Sequence, residues 1–523
     1  MKRAHVLIIV VHLLFVGYLC AQQTTGSGRT VVVVPFENTS PTPGLEWLSD
    51  AFPETFHQQL NSPVLYLASR DERLRAYDRQ GIPVNLHPSR ATLYRLAEQM
   101  DVDYAVLGSY NYDGARLIAT AQVLDMRAQK LLPAATESGP LTDLGAVQSS
   151  LAWDMLRLIR THFSLPKEKY LASITPVRLD AQEQYILGVL APSAEEKEQH
   201  YKEAVRLNPA YAEAWLELGK TYFGQRIYEP AISAFSQVPP SSAVAREANF
   251  YLGLAAFYHG EFAKAETAFE FVVARLPLAE VYNNLGVVAA RRGRKNSTEY
   301  FEKAIRNDPS DPDYHFNLGI SLSFAGNNAA AARELRTALE HRPNDSEAKA
   351  LLDSVTPPGV GVAKAPAERI KHKYDENTFR QMTMQIQSWA EQQFARSDPR
   401  SHARYHVELG RELLAHGFTA EAESEFSHAA TLDSASTVAL TALAEVYVAR
   451  GDAREARTQV EASLRLRESA EAYVVLAGLD LSENRTEAAA QDVSRAVQLE
   501  PGNLAAQSLQ RAVAAKLAEK AQP

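Results

Sequence analysis

Residues 212–235 read AEAWLELGKTYFGQRIYEPAISAF, and this stretch decides the fold of the larger part of the chain. It places the small residues Gly219 and Ala231 among large ones such as Trp215 and Phe235. Small residues at these positions let two antiparallel helices approach closely, and the large residues fill the space between successive pairs. The glycine recurs at intervals of 34, 33 and 33 residues as Gly253, Gly286 and Gly319. Because one helix pair cannot bury its apolar face alone, the spacing predicts a stacked helical array.

The period and its pattern resemble the tetratricopeptide repeat, in which W-x2-L-G-x2-Y is followed by an alanine, an aromatic residue and a proline. Trp215, Leu218, Gly219 and Tyr222 match the first half of that signature. The resemblance implies an α-helical solenoid of about five repeats plus a helix over residues 180–355. In such solenoids, the first helix of each repeat lines the concave surface.

A second array of three repeats and a capping helix is predicted over residues 401–523. Its small residues are spaced by 34 and 33 positions and are Gly410, Ala444 and Ala477. Residues 356–400, between the arrays, begin with a stretch rich in proline and glycine, which is typical of a linker. An extra helix is expected within them, over residues 375–395.

Residues 29–165 alternate strand and helix patterns and predict an α/β domain with a mixed sheet. Strands are expected at residues 30–36, 64–67, 104–110 and 117–124, the last two as a hairpin. Helices are expected where apolar residues recur at helical spacing, at residues 45–60, 90–100 and 141–163. The chain is therefore predicted to be mostly α, with an N-terminal α/β domain followed by two solenoid arrays.

Four short stretches of the α/β domain resemble the TolB amino-terminal-like domain. They are VPFEN at 34–38, LSDAF at 48–52, DYAVLGSY at 103–110 and AQVLD at 121–125. The resemblance covers residues 29–132 and extends to the small α/β domains of periplasmic TolB and curli-secretion lipoproteins. It implies a binding or assembly module and no shared catalytic residue.

Residues 1–21 read MKRAHVLIIVVHLLFVGYLCA, which is typical of a secretory signal peptide. Basic residues precede an apolar stretch at 6–19, and a cleavage site is predicted near Ala21. The apolar stretch is shorter than a transmembrane helix requires. Lipidation of Cys20, in the manner of bacterial lipoproteins, is an alternative, although the bulky pair at 18–19 stands where such signals carry small residues. An uncleaved membrane anchor is the third hypothesis.

The composition limits the class of protein. The chain has 523 residues, 46% hydrophobic and 22% charged, with a formal net charge of −9 and one cysteine. These values are those of a folded protein with several domains. A single cysteine excludes a disulfide framework and a zinc or iron–sulfur site built from cysteines. The negative balance argues against a general nucleic-acid binder.

A search for catalytic motifs leads to no active-site hypothesis. The stretch GVGVAK at 359–364 does not match GxxxxGK[ST] and is interpreted as linker. His402 and His406 could share a metal, with His416 and His428 nearby. There is no HExxH motif, and His406 occupies the position of Trp215 in its own repeat, which favours packing. No GxSxG motif occurs either, so the sequence predicts no enzyme, no metal and no cofactor.

The concave face of the first array is predicted to bind a peptide. It collects Asn283, Asn284 and Asn317, of which Asn284 and Asn317 stand at position 6 of consecutive repeats. An asparagine side chain offers a donor and an acceptor, so it can hold an extended backbone without reading its sequence. This arrangement resembles the asparagine ladder of some peptide-binding repeat proteins. Aromatic residues at neighbouring positions either form pockets for the peptide or pack between helices: Phe223, Phe250, Phe257, Tyr258, Phe316 and Phe324.

These features predict an exported, non-catalytic scaffold that binds proteins or extended peptides in the bacterial envelope. It would touch the membrane only through its N-terminus, if lipidated or uncleaved, and would bind no nucleic acid. Two alternatives stay open. The α/β domain could bind a small ligand in support of an enzyme, or the protein could be a lipid-anchored assembly or secretion factor that oligomerises through that domain.

Overall fold

Residues 31–34 are four valines that bury side chains on both faces of a strand, and the N-terminal sheet is built around them. The computed structural model describes residues 29–40, 42–60, 62, 65–84, 88–160, 163, 165–356, 367–381, 397–415, 419–449 and 451–520. The predicted signal peptide with Cys20, the stretch 359–364 and His416 lie outside the described residues.

The described strands are β1 (Arg29–Val33), β2 (Glu37–Asn38), β3 (Leu65–Leu67), β4 (Tyr104–Tyr112), β5 (Leu117–Asp125), β6 (Lys130–Leu131) and β7 (Ala135–Gly139). They form one mixed sheet in the order β3-β1-β4-β5-β6, with β2 paired to β4 and β7 paired to β5. Strand β1 is parallel to β3 and β4, whereas β4 and β5 form the predicted antiparallel hairpin, with Tyr104 opposite Asp125. The mixed sheet predicted for this region is confirmed.

Helices cover both faces of this sheet, since successive side chains of a strand point to opposite sides. The four helices are α1 (Leu48–Leu60), α2 (Arg70–Gln80), α3 (Arg90–Gln99) and α4 (Leu144–Ile159). Val31 and Val33 pack towards α1 and α4, whereas Val32 and Val34 pack towards α2 and α3.

Helix α2 was not among the elements that hydrophobic spacing predicts, because its sequence RDERLRAYDRQ is strongly polar. Residues at the two ends of the helix mark where it begins and ends. Ser69 and Glu72 form a capping box at the start, and Gly81, with φ of 64°, ends the helix in the left-handed conformation. At the end of the domain, the helix predicted over residues 141–163 is shorter, because a 3₁₀ turn at Leu141–Asp143 precedes α4.

The α/β domain and the first helical array share one apolar core. Tyr185 and Tyr201 of the array belong to the same buried cluster as Phe52 and Phe56 of α1. At this junction, Gln182 donates to Gln148 at 2.8 Å and to Thr55 at 3.1 Å, and all three are buried. A short helix, α5 (Lys167–Ala172), connects the two parts.

The first array consists of five antiparallel helix pairs and a final helix in the described residues. The helices are α6 (Leu179–Leu190), α7 (Ala194–Leu207), α8 (Ala212–Gly224), α9 (Tyr228–Ser236), α10 (Ala245–His259), α11 (Phe262–Val273), α12 (Ala279–Arg291), α13 (Ser297–Asn307), α14 (Pro312–Phe324), α15 (Asn328–His341) and α16 (Ser346–Val355).

The second array has three helix pairs and a terminal helix among the residues described. They are α17 (Pro399–Ala415), α18 (Thr419–Leu432), α19 (Thr437–Ala449), α20 (Ala453–Leu466), α21 (Ala470–Ser482), α22 (Thr486–Leu499) and α23 (Leu504–Lys520). The predicted fold class, an α/β domain followed by two helical repeat arrays, is confirmed.

The repeating glycine makes each pair close. A methyl group added at Gly253 would lie 2.6 Å from a ring carbon of Phe269, and one at Gly286 would lie 2.5 Å from Phe301. In the second array, Ala444 stands in place of the glycine and Val460 in place of the phenylalanine, both fully buried. The larger residue on the first helix of the pair thus faces a smaller residue on the second helix, so the two helices remain closely packed.

Candidate peptide-binding groove

The concave side of the first array holds another part of the same chain. We call residues 367–381 the inserted segment: 367–375 have no regular secondary structure and 376–381 are helical. The helical turn falls at the start of the extra helix predicted over 375–395, of which residues 382–395 lie outside the described residues. The inserted segment runs along α14, α12 and α10, opposite in direction to the order of the repeats.

Asparagine side chains hold the backbone of the inserted segment. The Arg369 N–H donates to Oδ1 of Asn317, whose Nδ2 donates to the Arg369 carbonyl, both at 2.8 Å. Asn284 makes the same pair of bonds with Lys371, again at 2.8 Å each. Asn283 donates to the Arg369 carbonyl at 2.9 Å and accepts from Asn317 at 2.7 Å. The three asparagines are completely buried, and their amides are satisfied by a peptide backbone.

Carboxylates hold the basic side chains of the segment. The Arg369 guanidinium makes a two-pronged contact with Asp345, at 2.5 and 2.8 Å, and contacts Asp313 at 3.1 Å. The Lys371 amine lies 2.7 Å from both Asp311 and Asp313. Two-pronged arginine–carboxylate pairs are among the stronger hydrogen-bonded contacts in proteins.

At both ends of the segment, acidic residues pair with arginines of the array, which is the reverse of the charge arrangement at its centre. Glu368 pairs with Arg291 at 2.9 Å, and Glu376 pairs with Arg246 at 2.6 Å. Between these ends, the backbone N–H of Asp375 donates to Glu280 at 2.9 Å. The groove therefore presents acidic groups at its centre and an arginine at each end.

The pairing with basic side chains lowers the pKa of two carboxylates in the groove. The hydrogen bond from Arg369 lowers the pKa of Asp345 to about 2, although burial opposes it. For Asp313, burial favours the neutral form, but hydrogen bonds from Arg342, Lys371 and Arg369 prevail and lower its pKa well below the usual range. Both carboxylates therefore stay ionised at neutral pH and carry the charge that the basic residues need.

Three of the predicted aromatic residues contact the inserted segment. Phe316 lies under the Arg369 guanidinium, 3.7 Å from ring centroid to Cζ, and Phe250 packs against Tyr374 with centroids 5.2 Å apart. Tyr258 stacks on His372 at 5.7 Å.

The other three predicted aromatic residues have different surroundings. Phe223 packs on Tyr251 and Tyr228, and Phe257 packs on Phe262, within the array. Phe324 is 71% exposed at the end of α14. The structure thus assembles Asn283, Asn284 and Asn317 with part of the aromatic set, and the role of these residues in binding a partner stays a prediction.

The charged residues of the groove were missed by sequence reasoning. Asp313, Asp345 and Arg246 lie on solenoid helices or their ends, where charged residues usually face solvent. The inserted segment itself carried a signal. In ERIKHKY, at 368–374, the basic residues at 369 and 371 alternate with Ile370 and His372, the period of an extended strand.

The histidines of the second array lie close together. His406 is fully buried, accepts or donates a hydrogen bond with Glu425 at 2.8 Å, and places Nε2 3.0 Å from Nε2 of His402. His428 packs against His406, with tilted rings whose centroids are 4.2 Å apart. Among the described residues, no group of three or more histidine, cysteine, aspartate or glutamate side chains has the geometry to hold a metal ion.

The comparisons with known proteins assign the repeats. Models of the tetratricopeptide repeat match residues 198–245, 250–312, 300–333 and 441–503. These residues of the helical arrays therefore form tetratricopeptide repeats. The comparison with curated proteins found no match. The likeness of the α/β domain to TolB-like domains stays a prediction.

Several solved structures are similar to parts of the chain. A crystal structure of MamA is 25% identical with a TM-score of 0.28, over 29% of this chain and 91% of MamA. YrrB, described as a TPR protein with an unusual peptide-binding site, is 16% identical with a TM-score of 0.31, over 38% of this chain and 97% of YrrB. A thermophilic TPR protein of Thermus thermophilus, TTC0263, is 17% identical with a TM-score of 0.26, over 34% of this chain and 98% of that protein.

Among the helices of the described residues, none is long and apolar enough to cross a membrane.

Proposed function

We propose that this protein is a non-catalytic scaffold that holds segments of other proteins, in extended conformation, in the groove of its first repeat array. The observation that carries the proposal is the asparagine ladder. Asn284 and Asn317 each donate to and accept from one backbone residue of the inserted segment.

The chemistry of the ladder suits a scaffold. Each rung uses both the N–H and the carbonyl of one residue, which every amino acid except proline supplies. The rungs contact residues 369 and 371, two positions apart, so they follow the repeat of an extended chain. Main-chain hydrogen bonds of this kind provide affinity, while neighbouring pockets provide specificity.

A peptide added in trans tests the groove. The inserted segment is first weakened by Arg369→Ala with Lys371→Ala in the full-length chain, which we call the weakened-segment variant. A fluorescein-labelled peptide with the sequence of residues 367–377, AERIKHKYDEN, is then titrated and followed by fluorescence anisotropy. We expect saturable binding to this variant.

Adding Asn284→Ala and Asn317→Ala to the weakened-segment variant is expected to reduce the affinity at least about tenfold, since net hydrogen bonds contribute about 1 kcal/mol each. The matched control is Asn249→Ala, because Asn249 lies on α10 and its side chain donates to the Ala245 carbonyl of its own helix, at 2.8 Å. Equal affinity of the ladder and control variants would contradict the proposal.

We also propose that the scaffold acts outside the cytoplasm. Support comes from residues 1–21, whose basic start, apolar stretch and small-residue end match a secretory signal. Mass spectrometry of the protein from its native host is expected to find a mature N-terminus near Gln22. A lipid-modified Cys20 would instead indicate a lipoprotein anchor, and an intact Met1 would contradict cleavage.

A further inference from the structure

The inserted segment occupies the whole ladder, which raises the question of what else could bind there. The side chains of Asn283, Asn284 and Asn317 are completely buried with the segment in place. No second backbone can reach these amides while the segment is bound. A peptide that uses the ladder therefore has to displace residues 367–376.

We propose that the groove selects an extended peptide with two basic residues at positions i and i+2, flanked by acidic residues, and that the inserted segment is a built-in copy of this ligand. The inference rests on the proposed function and adds to it the chemistry of the partner and the competition within the chain. In the built-in copy, the basic residues are Arg369 and Lys371 and the flanking acids are Glu368 and Glu376.

The first basic position is defined by shape as well as charge. The Arg369 guanidinium lies over the ring of Phe316, donates to both oxygens of Asp345, and donates to Glu347 at 2.8 Å. Asp345 is itself buried, and one of its oxygens caps α16 through the Ala348 N–H at 3.0 Å. The carboxylate is therefore fixed in position before the guanidinium binds, which is the geometry that favours arginine over lysine.

The second basic position is defined mainly by charge. The Lys371 amine lies between Asp311 and Asp313, and it also sits 5.2 Å from the ring centre of Tyr314. Asp313 touches both Arg369 and Lys371, so it joins the two positions. An acidic or neutral residue at either place would remove a cation from this cluster of carboxylates. Arg342, 2.7 Å from Asp313, would then balance more negative charge, which is unfavourable in a partly buried site.

The groove does not recognise every basic residue of the segment. The Lys373 side chain is 78% exposed and pairs with Asp375 of the same segment. The groove therefore distinguishes positions, and Lys373 offers a matched control for Arg369 and Lys371.

The ends set the direction of the bound peptide. Arg291 pairs with Glu368 before the basic pair, and Arg246 pairs with Glu376 after it. Glu368 directly precedes Arg369, whereas Glu376 follows Lys371 by five residues, so a peptide that ran the opposite way would not match both arginines with its basic pair in place. We infer that the groove binds its ligand with the N-terminal end towards α14.

The built-in copy also competes with any free peptide for the groove. A segment of the same chain competes at an effective concentration that is commonly about 1 mM or higher for a short connection. A free peptide with the same contacts therefore binds the parent protein much more weakly than it binds a protein whose segment has been weakened.

The test uses three labelled peptides with the full-length parent and the weakened-segment variant. The first peptide is residues 367–377, the second carries Arg369→Glu with Lys371→Glu, and the third carries Lys373→Glu. For the weakened-segment variant, we expect the first and third peptides to bind within about threefold of each other, and the second at least about 100-fold more weakly. For the parent, we expect the first peptide to bind at least about tenfold more weakly than to the variant.

Each outcome decides a different point. If the charge-reversed peptide binds the weakened-segment variant as well as the first peptide, and the ladder substitutions abolish both, the scaffold function stands and the charge selection is wrong. If the parent binds the first peptide as tightly as the variant does, the internal competition is wrong. If no peptide binds the variant, while circular dichroism shows native helicity, the proposed function fails together with this inference.

Discussion

Replacing Asn284 and Asn317 with alanine in the full-length chain is expected to release the inserted segment and to raise trypsin cleavage after Arg369 and Lys371 at least about tenfold. The substitutions remove four hydrogen bonds to the segment backbone. They also leave backbone groups without partners when the segment is bound, at about 1–3 kcal/mol each. In the parent, both basic side chains are held by carboxylates, and Arg369 and Lys371 are only 19% and 21% exposed.

Mass spectrometry of timed digests measures this effect, because it separates cleavage at these two sites from cleavage elsewhere. Asn249→Ala serves as the control, and its digestion pattern should match that of the parent. Hydrogen exchange gives a second readout, since the amides of Arg369 and Lys371 donate to the two asparagines. Unchanged cleavage and unchanged exchange in the double variant would show that the charged contacts hold the segment without the ladder.

A second large effect is expected from Gly253→Ala, which adds one methyl group to a helix interior. An alanine usually stabilises a helix relative to glycine. Here, the new methyl group would lie 2.6 Å from the ring of fully buried Phe269, so α10 and α11 must move apart. We expect the free energy of unfolding of the array to fall by about 1–3 kcal/mol, the usual cost of overpacking.

Thermal unfolding followed by circular dichroism measures this loss, with Gly224→Ala as the matched control. Gly224 also lies in a helix, and a methyl group there meets no atom within 4 Å. The double variant Gly253→Ala with Phe269→Val should recover part of the lost stability, because Ala444 and Val460 form such a pair in the second array. An equal melting temperature for both glycine variants would refute the packing argument.

Local sequence patterns predicted most of the fold. The glycine and alanine spacing identified both arrays because helix pairing depends on contacts between residues close in the chain. The same spacing placed Asn284 and Asn317 at equivalent positions, and the structure puts their amides on one backbone. Helix α2 escaped prediction because its residues are polar, and only the capping residues Ser69 and Glu72 marked it.

The sequence by itself determined the repeats, the register of the asparagines and the mixed sheet, since each of these follows from periodicity within a few dozen residues. Only the tertiary structure showed what fills the groove. Arg369 meets Asn317 across 52 residues, and Lys371 meets Asn284 across 87. Because an asparagine side chain can bind any peptide backbone, its presence in the sequence does not show which backbone it binds. The pairing depends on the tertiary structure, which brings Asp313 and Asp345 of the array next to the basic residues of the inserted segment.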